Sequence, residues 1–338
     1  MEKFSLEKKN ILNSWHLVGH KCDFKNENDY KVIKICDKSV LVFKFKDIIK
    51  AFTNVCSHRG SLLKTKESGN GKLICPYHHW TYNDKGIPYS IPFKKECEFI
   101  DDTSKLKLEE WLIDFCGDFI FISLKNKTSL KKYLGQNYEP IKNKSYLIEK
   151  KVFSNSEIWN CNWKRCIENS IDEYHAVFLH KTTFRKILKL KPEYELDDNV
   201  MNASIQINDS YMKQTKILKN YFKSLTKDYS HSLIFPLSTI ATTMNHSFYL
   251  QRYMPINQNE TLISYEIYLP KIIKKNSSKI FEKNFVKSSI NFNKIVFDED
   301  KLICEQVEEG LKQRDFNQPI GKYEFRINFF RNKISKFN

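Results

Sequence analysis

Cys56-Ser57-His58-Arg59-Gly60 and Cys75-Pro76-Tyr77-His78-His79-Trp80 are the two stretches on which the reading of this chain turns. They make a C-x-H pair, a gap of 16 residues and a C-x-x-H pair. Two thiolates and two imidazoles satisfy a tetrahedral zinc ion. They equally satisfy a [2Fe–2S] cluster in which two histidines replace two cysteines on one iron. Each pair ends a short strand-like run, so two loops can clamp a cofactor between them. Each pair also combines one Cys with one His, which lets both cysteines take one iron and both histidines the other. The cluster is the favoured reading, with Cys56, His58, Cys75 and His78 as donors.

Outward from these loops, residues 30–125 read as β-rich. Tyr30 to Ile35 and Val40 to Phe45 are apolar runs flanking an Asp-Lys-Ser turn, as in a hairpin. Shorter runs follow at Leu73-Ile74 and Phe119 to Ile122, with Gly and Asn-Asp signals between them. The Lys-rich stretch from Leu124 to Leu134 reads as a boundary, giving domains 1–130 and 131–338. Beyond it, Ser247–Pro255 and Leu262–Leu269 are strand-like around an Asn-Gln-Asn loop. Residues 277–314 carry apolar residues in a helical rhythm.

A second constellation lies in this half. On a helix, Glu168, Asp172 and His175 fall at i, i+4 and i+7, on one face. Three ionisable groups on one face are costly to bury unless they bind something. His180 points about 140° away from His175 on a straight helix, so the helix must end or bend for both imidazoles to reach one ion. A His pair needs a carboxylate to complete the 2-His-1-carboxylate set of non-haem Fe(II) oxygenases. Val296, Asp300, Ile303 and Val307 form an apolar stripe that Asp300 interrupts with a charge, and an inward carboxylate needs a cation. Asp298 is about 160° from Asp300 and is expected in water.

Composition bounds the rest. The chain has 338 residues, 41% hydrophobic and 14% aromatic, which suits two packed domains rather than disorder. The net charge is +16, but the basic residues are spread along the chain without a block, so nucleic-acid binding is not expected. A basic surface suits an acidic electron-transfer partner. Nine cysteines are an odd number in a chain this long, which points to metal ligation rather than a disulfide framework. There is no apolar run of bilayer length, and the N-terminal residues do not read as a secretory signal, so a cytoplasmic protein without a membrane span is expected. No G-x-G-x-x-G occurs, so nicotinamide or flavin is expected on another protein.

The contexts of both constellations resemble the terminal oxygenase α subunit of the Rieske non-haem iron oxygenase family. The resemblance runs from about Trp15 to the end. It rests on the cluster motif, Asn162-Trp163-Lys164, the run Glu168-Asn169-x-x-Asp172-x-Tyr174-His175-x4-His180, and the late Asp-rich helix. It implies an α+β protein: an N-terminal antiparallel Rieske domain and a C-terminal helix-grip domain. It implies mononuclear Fe(II) on His175, His180 and Asp300. It implies that Asp172 links this iron to the cluster of a neighbouring subunit in a homotrimer. It also implies a small-molecule substrate, O2, and electrons from an external NAD(P)H-dependent reductase or ferredoxin.

Compact length and the Glu-Asn-x-x-Asp spacing favour a monooxygenase or demethylase over a ring-dihydroxylating dioxygenase. A Rieske electron carrier with an iron-free second domain is the third reading, and intact His175, His180 and Asp300 argue against it. His79 departs from the family, which usually has a small residue there. Ile205, Met244, Phe248 and Tyr249 are candidate pocket residues, with core packing the commoner role.

Overall fold

The computed structural model describes residues 2–96, 102–273, 278–314 and 318–337. The chain divides into two compact units, Ile11–Leu130 on one side and Lys131–Asn338 with Met1–Asn10 on the other. The first ten residues, expected with the N-terminal domain, thus group with the C-terminal one; helix α1 (Glu2–Leu12) holds them, and Glu7 ion-pairs with Lys164.

The unit Ile11–Leu130 is built on β1 (His16–His20), β2 (Asp29–Ile35), β3 (Lys38–Lys44), β4 (Ile49–Thr53), β5 (Ser68–Asn70), β6 (Thr81–Tyr82), β7 (Pro88–Ser90), β8 (Glu110–Cys116) and β9 (Phe119–Ser123). Seven of these form an antiparallel sheet in the order β1-β9-β8-β4-β3-β2-β5, and β6 pairs with β7. The expected hairpin is β2–β3, closed by Cys36 and Asp37, with Cys36 at φ 55°. Leu73-Ile74 does not make a strand; Ile74 forms one isolated bridge, to Thr81. Its neighbour Cys75 and the other candidate ligand cysteine, Cys56, belong to the same buried cluster as Leu41, Phe52 and Trp80. The donor loops are therefore held by core packing, in which a buried large apolar side chain contributes about 1.5–3 kcal/mol.

The second unit has one antiparallel sheet of β10 (Ile148–Trp159), β11 (Leu188–Leu196), β12 (Val200–Ile207), β13 (Asp228–Ile234), β14 (Ser238–Thr243), β15 (Ser247–Pro255) and β16 (Thr261–Pro270), in the order β10-β16-β15-β14-β13-β12-β11. The expected β15–β16 pairing is present. Three helices bear on the site: α2 (Trp163–Ser170), α3 (Ser278–Leu311) and α4 (Phe325–Phe337). Of the expected helix 277–314, residue 277 and positions 315–317 just beyond it lie outside the described residues. Phe297 anchors α3 to the sheet, with ring centroids 4.6 Å from Tyr265 and 5.0 Å from Trp159. The buried line of α3 is Phe297 and Cys304, flanking Asp300; Val307, expected on that line, is exposed because the face is turned toward Phe297. Asp298 is exposed as expected. Both units are built on antiparallel sheets and the α-helices gather in the second, the α+β class. Among the described residues no helix is long and apolar enough to cross a membrane.

Candidate metal centres

In the β-rich unit the two donor loops repeat one geometry. Cys56 N–H donates to Ser61 O (2.8 Å) and Cys75 N–H to Trp80 O (2.9 Å). Gly60 N–H donates to Cys56 O and His79 N–H to Cys75 O, both at 3.0 Å. Closing each loop requires a left-handed residue: Gly60 at φ 75° and His79 at φ 57°. His79 is thus the exposed counterpart of Gly60, which explains why a small residue suits its position. Asn54 braces the first loop by donating to Lys64 O (2.7 Å) and accepting from Lys64 N–H (3.0 Å).

The sulfurs are buried, and the His58 and His78 rings lie 4.8 Å apart. Their Nδ1 atoms are buried without a hydrogen-bond partner, an arrangement that is costly unless those atoms ligate a metal. Among the described residues, the sets of three metal-type donors lying within 4.8 Å of one another are Cys161/Cys166/Cys304 and His175/His180/Asp300. The four loop donors do not close up in that way, as donors to one tetrahedral zinc would, so they fit a two-iron cluster better. Tyr82, which the sequence reading missed, places its hydroxyl 3.0 Å from Cys56 Sγ. Burial, then the contact with Cys56, pushes its pKa up and keeps the phenol protonated, so it would donate to Cys56 as a metal-bound thiolate, and such bonds to cluster sulfurs tune the potential. Trp80 stacks on His58 at 4.4 Å and 9°.

In the other unit, α2 stops at Ser170 rather than running through His175. The cause is local: Asp172 Oδ1 accepts from Tyr174 N–H (2.7 Å) and His175 N–H (3.3 Å), a turn that competes with the helix. Glu168 therefore does not share a ligand face with His175. Its carboxylate takes two 2.8 Å bonds from Arg331 and one of 2.8 Å from Arg165. The break lets His175 and His180 converge, with Nε2 atoms 3.2 Å apart. Asp300 Oδ1 lies 3.5 Å from His175 Nε2 and 3.3 Å from His180 Nε2. An ion with bonds of about 2.1 Å, at angles between octahedral and tetrahedral, holds its donors about 3.0–3.4 Å apart. Two sides of the triangle fall in that range, and the third, at 3.5 Å, lies just above it.

Other side chains orient the three donors. His180 Nδ1 lies 2.7 Å from Glu299 Oε2, and Asn169 donates to Asp300 Oδ1 at 2.9 Å. His175 Nδ1 is 3.4 Å from Asp172 Oδ2, without hydrogen-bond geometry. Burial works against a charge on His175, but Asp172 and Asp300 outweigh it and raise the imidazole to about 10. Burial likewise opposes ionisation of Asp300, and the two imidazoles outweigh it, holding the carboxyl below its usual range. The arrangement therefore favours a positive charge at its centre, which a metal cation supplies.

The triad lines a small cavity of about 70 Å³ that Phe184, Tyr229, Tyr249 and Tyr253 wall with aromatic surface. His231 also faces it; burial, then Lys144, lowers its pKa to about 4. Arg326 donates to His231 Nδ1 (3.1 Å) and ion-pairs with Glu173, leaving the His231 N–H on Nε2, 3.2 Å from Ser170 Oγ. Of the four candidate pocket residues, Ile205 and Tyr249 line the cavity, while Met244 and Phe248 pack in the core. An open depression of about 450 Å³ on the outer side reaches Asp172 but none of the three triad residues, so the chemistry belongs to the smaller cavity.

Residues 14–108 match the Rieske [2Fe-2S] domain family, and residues 136–337 match the ring hydroxylating alpha subunit (catalytic domain) family. The chain belongs to this family of Rieske non-haem iron oxygenases: an oxidoreductase with a [2Fe–2S] cluster and a mononuclear iron. It is 26% identical over 334 residues to choline monooxygenase of Beta vulgaris, covering 93% of this chain and 68% of that one. Its fold resembles that of the quaternary ammonium Rieske monooxygenase CntA in complex with L-carnitine, with TM-score 0.80, 21% identity, and 98% and 91% of the two chains covered. It also resembles naphthalene 1,2-dioxygenase from Rhodococcus sp. bound to indole, with TM-score 0.81, 17% identity, and 99% and 91% covered.

Proposed function

We propose that this chain is the terminal oxygenase of a Rieske monooxygenase acting on a small quaternary ammonium substrate. The observation that carries the reading is the cavity: aromatic on several sides, acidic, and without a Lys or Arg among its lining residues. Aromatic faces attract an alkylammonium, by about 2 kcal/mol or more when desolvated. Charge accounting agrees. Asp172, Glu299 and Asp300 contribute −3, a divalent ion returns +2, and Glu173 is neutralised by Arg326, so about one negative charge remains for a cationic substrate. A volume of about 70 Å³ is far below the roughly 300 Å³ at which pockets for larger ligands begin, which favours a compact head group over fused rings. A substrate carboxylate would find no Lys or Arg in the lining, so a choline-like monocation suits the cavity better than a carnitine-like zwitterion.

In this reading Cys56, His58, Cys75 and His78 hold the cluster, and His175, His180 and Asp300 hold the iron. The bound groups supply single-electron delivery and O2 activation. The chain's own residues do the positioning. Glu299 and Asn169 fix His180 and Asp300, Tyr82 donates to Cys56, and Arg326 holds the proton of His231 on Nε2. Asp172, which also faces the outer depression, is the carboxylate through which the iron site meets the cluster of a neighbouring subunit in a homotrimer. Electrons come from a separate NAD(P)H-dependent reductase or ferredoxin, in the cytoplasm.

The test is substrate-dependent O2 uptake with a surrogate reductase, comparing choline with its neutral isostere 3,3-dimethylbutanol. Oxidation of the cation with at least tenfold preference is expected. Equal turnover of the isostere, or cis-diol formation from an aromatic hydrocarbon, overturns the reading. Asp172→Ala is expected to keep both metal centres loaded yet lose turnover, and normal turnover would refute its bridging role.

A further inference from the structure

A second set of donors lies beside the iron triad, and the oxygenase chemistry leaves it unused. Cys161, Cys166 and Cys304 bring their three sulfurs within 4.8 Å of one another, at 0%, 1% and 3% exposure. All three are free thiols. They come from three places: the loop after β10, helix α2, and helix α3 one turn beyond Asp300. Glu308 follows Cys304 by four residues on α3 and so shares its face. Its Oε2 lies 3.6 Å from Cys161 Sγ and accepts from Asn162 N–H at 3.2 Å, which fixes the carboxylate toward the sulfurs. The loop is fastened as well. Thr261 Oγ1 donates to Cys161 O at 2.7 Å, and Asn160 N–H donates to Glu305 on α3 at 2.9 Å. The donors are thus pre-positioned rather than merely adjacent.

We propose that Cys161, Cys166 and Cys304, with Glu308 as a fourth donor, bind one thiophilic d¹⁰ ion, Zn(II) or Cu(I), separate from both iron centres. Three soft sulfurs select this class over iron, magnesium or calcium. An ion with bonds of about 2.3 Å holds three sulfurs about 3.8–4.0 Å apart, within the spacing present here. Binding displaces the thiol protons to solvent and leaves three thiolates paired with the cation. The bound ion would clamp α2 to α3 near the Asn169–Asp300 hydrogen bond, without contact to the triad's own donors.

The holoenzyme is incubated with one equivalent of Zn(II), or anaerobically with Cu(I), and dialysed. Metals are then counted by mass spectrometry, and the retained ion is examined by X-ray absorption at its own edge, where iron does not interfere. The expected result is one Zn or Cu per chain with a sulfur-dominated shell at about 2.3 Å. Cys161→Ser should cut retention at least tenfold while iron content and the cluster's visible spectrum stay unchanged. Retention of neither ion overturns the proposal, as does equal retention by the variant. A shell of nitrogen and oxygen also overturns it, because the ion then sits on the histidine triad. If Cys161→Ser does not fold, the wild-type sulfur shell and the milder Glu308→Gln, expected to weaken retention, decide the matter.

Discussion

Glu299 offers a measurable handle on the iron triad. His180 is 1% exposed, and the described partner of its Nδ1 is the Glu299 carboxylate at 2.7 Å. That bond sets the ring orientation and turns Nε2 toward Asp300 and His175. Glu299→Ala leaves the Nδ1–H buried without a partner, which costs about 1–3 kcal/mol. If the cost falls on the metal-bound state, it corresponds to about a 10- to 100-fold loss of iron affinity, the range seen when such supporting groups are removed. The Glu299 side chain is 30% exposed, so solvent screens part of its charge and the lower half of that range is expected. Glu299→Gln keeps an oxygen acceptor and loses only the charge, so its loss should be smaller, about three- to tenfold.

The assay is competition for Fe(II) against a chromophoric chelator, with the cluster's visible absorption as an internal control because its ligands lie on the other unit. The expected order of affinity is wild type, then Glu299→Gln, then Glu299→Ala, with the cluster unchanged. Equal affinity in wild type and Glu299→Ala would refute the orienting role.

Three further outcomes are expected. Arg326→Met strands the buried Glu173 carboxylate without a cation, at a cost of about 3–5 kcal/mol in urea unfolding, and Arg326→Met/Glu173→Gln should recover most of it. At His79, the left-handed conformation costs an L-residue about 1–2 kcal/mol, and glycine gives back about 0.5–1 through its freer unfolded chain. His79→Gly should therefore leave stability level or raise it by up to about 1.5 kcal/mol, whereas a lower melting temperature would assign the imbalance to contacts of the imidazole. Burial, partly offset by the Ile11 carbonyl, lowers the His16 pKa from 6.5 to about 4. The unfolded chain takes up this proton first, so stability is complete above pH 6.5 and falls as pH drops toward 4, by about 3 kcal/mol. In His16→Gln that part of the acid limb should flatten.

Much of the fold was legible because its signals are local. The β2–β3 and β15–β16 hairpins show apolar runs bounded by turn residues, and the pairing follows from them. The four cluster donors are grouped by short spacings. Asp300 is visible as a charge interrupting an apolar helical stripe, although the stripe turned out to be rotated toward Phe297 and Cys304. The need for the helix to end or bend before His180 was legible as well, from the angle between the two histidines on a straight helix, although it ends earlier than expected, at Ser170.

What stayed hidden depends on partners distant in sequence or on competition at a helix end. Glu299 meets His180 across 119 residues and Asn169 meets Asp300 across 131, and no local pattern marks either pair. Glu168 was expected on one helical face with Asp172 and His175 because its helical phase was right. It is an ion-pair residue because Arg331, 163 positions away, reaches it first, and because α2 has ended before His175. That ending rests on Asp172, whose Oδ1 takes two backbone N–H groups while Oδ2 faces His175 Nδ1. One carboxylate thus breaks the helix, sets the approach of His175 to the triad and presents charge to its imidazole. An Asp172 substitution should consequently be judged by iron loading before turnover is interpreted. Loss of turnover with iron retained isolates the electron-transfer role, whereas loss of both points to the turn.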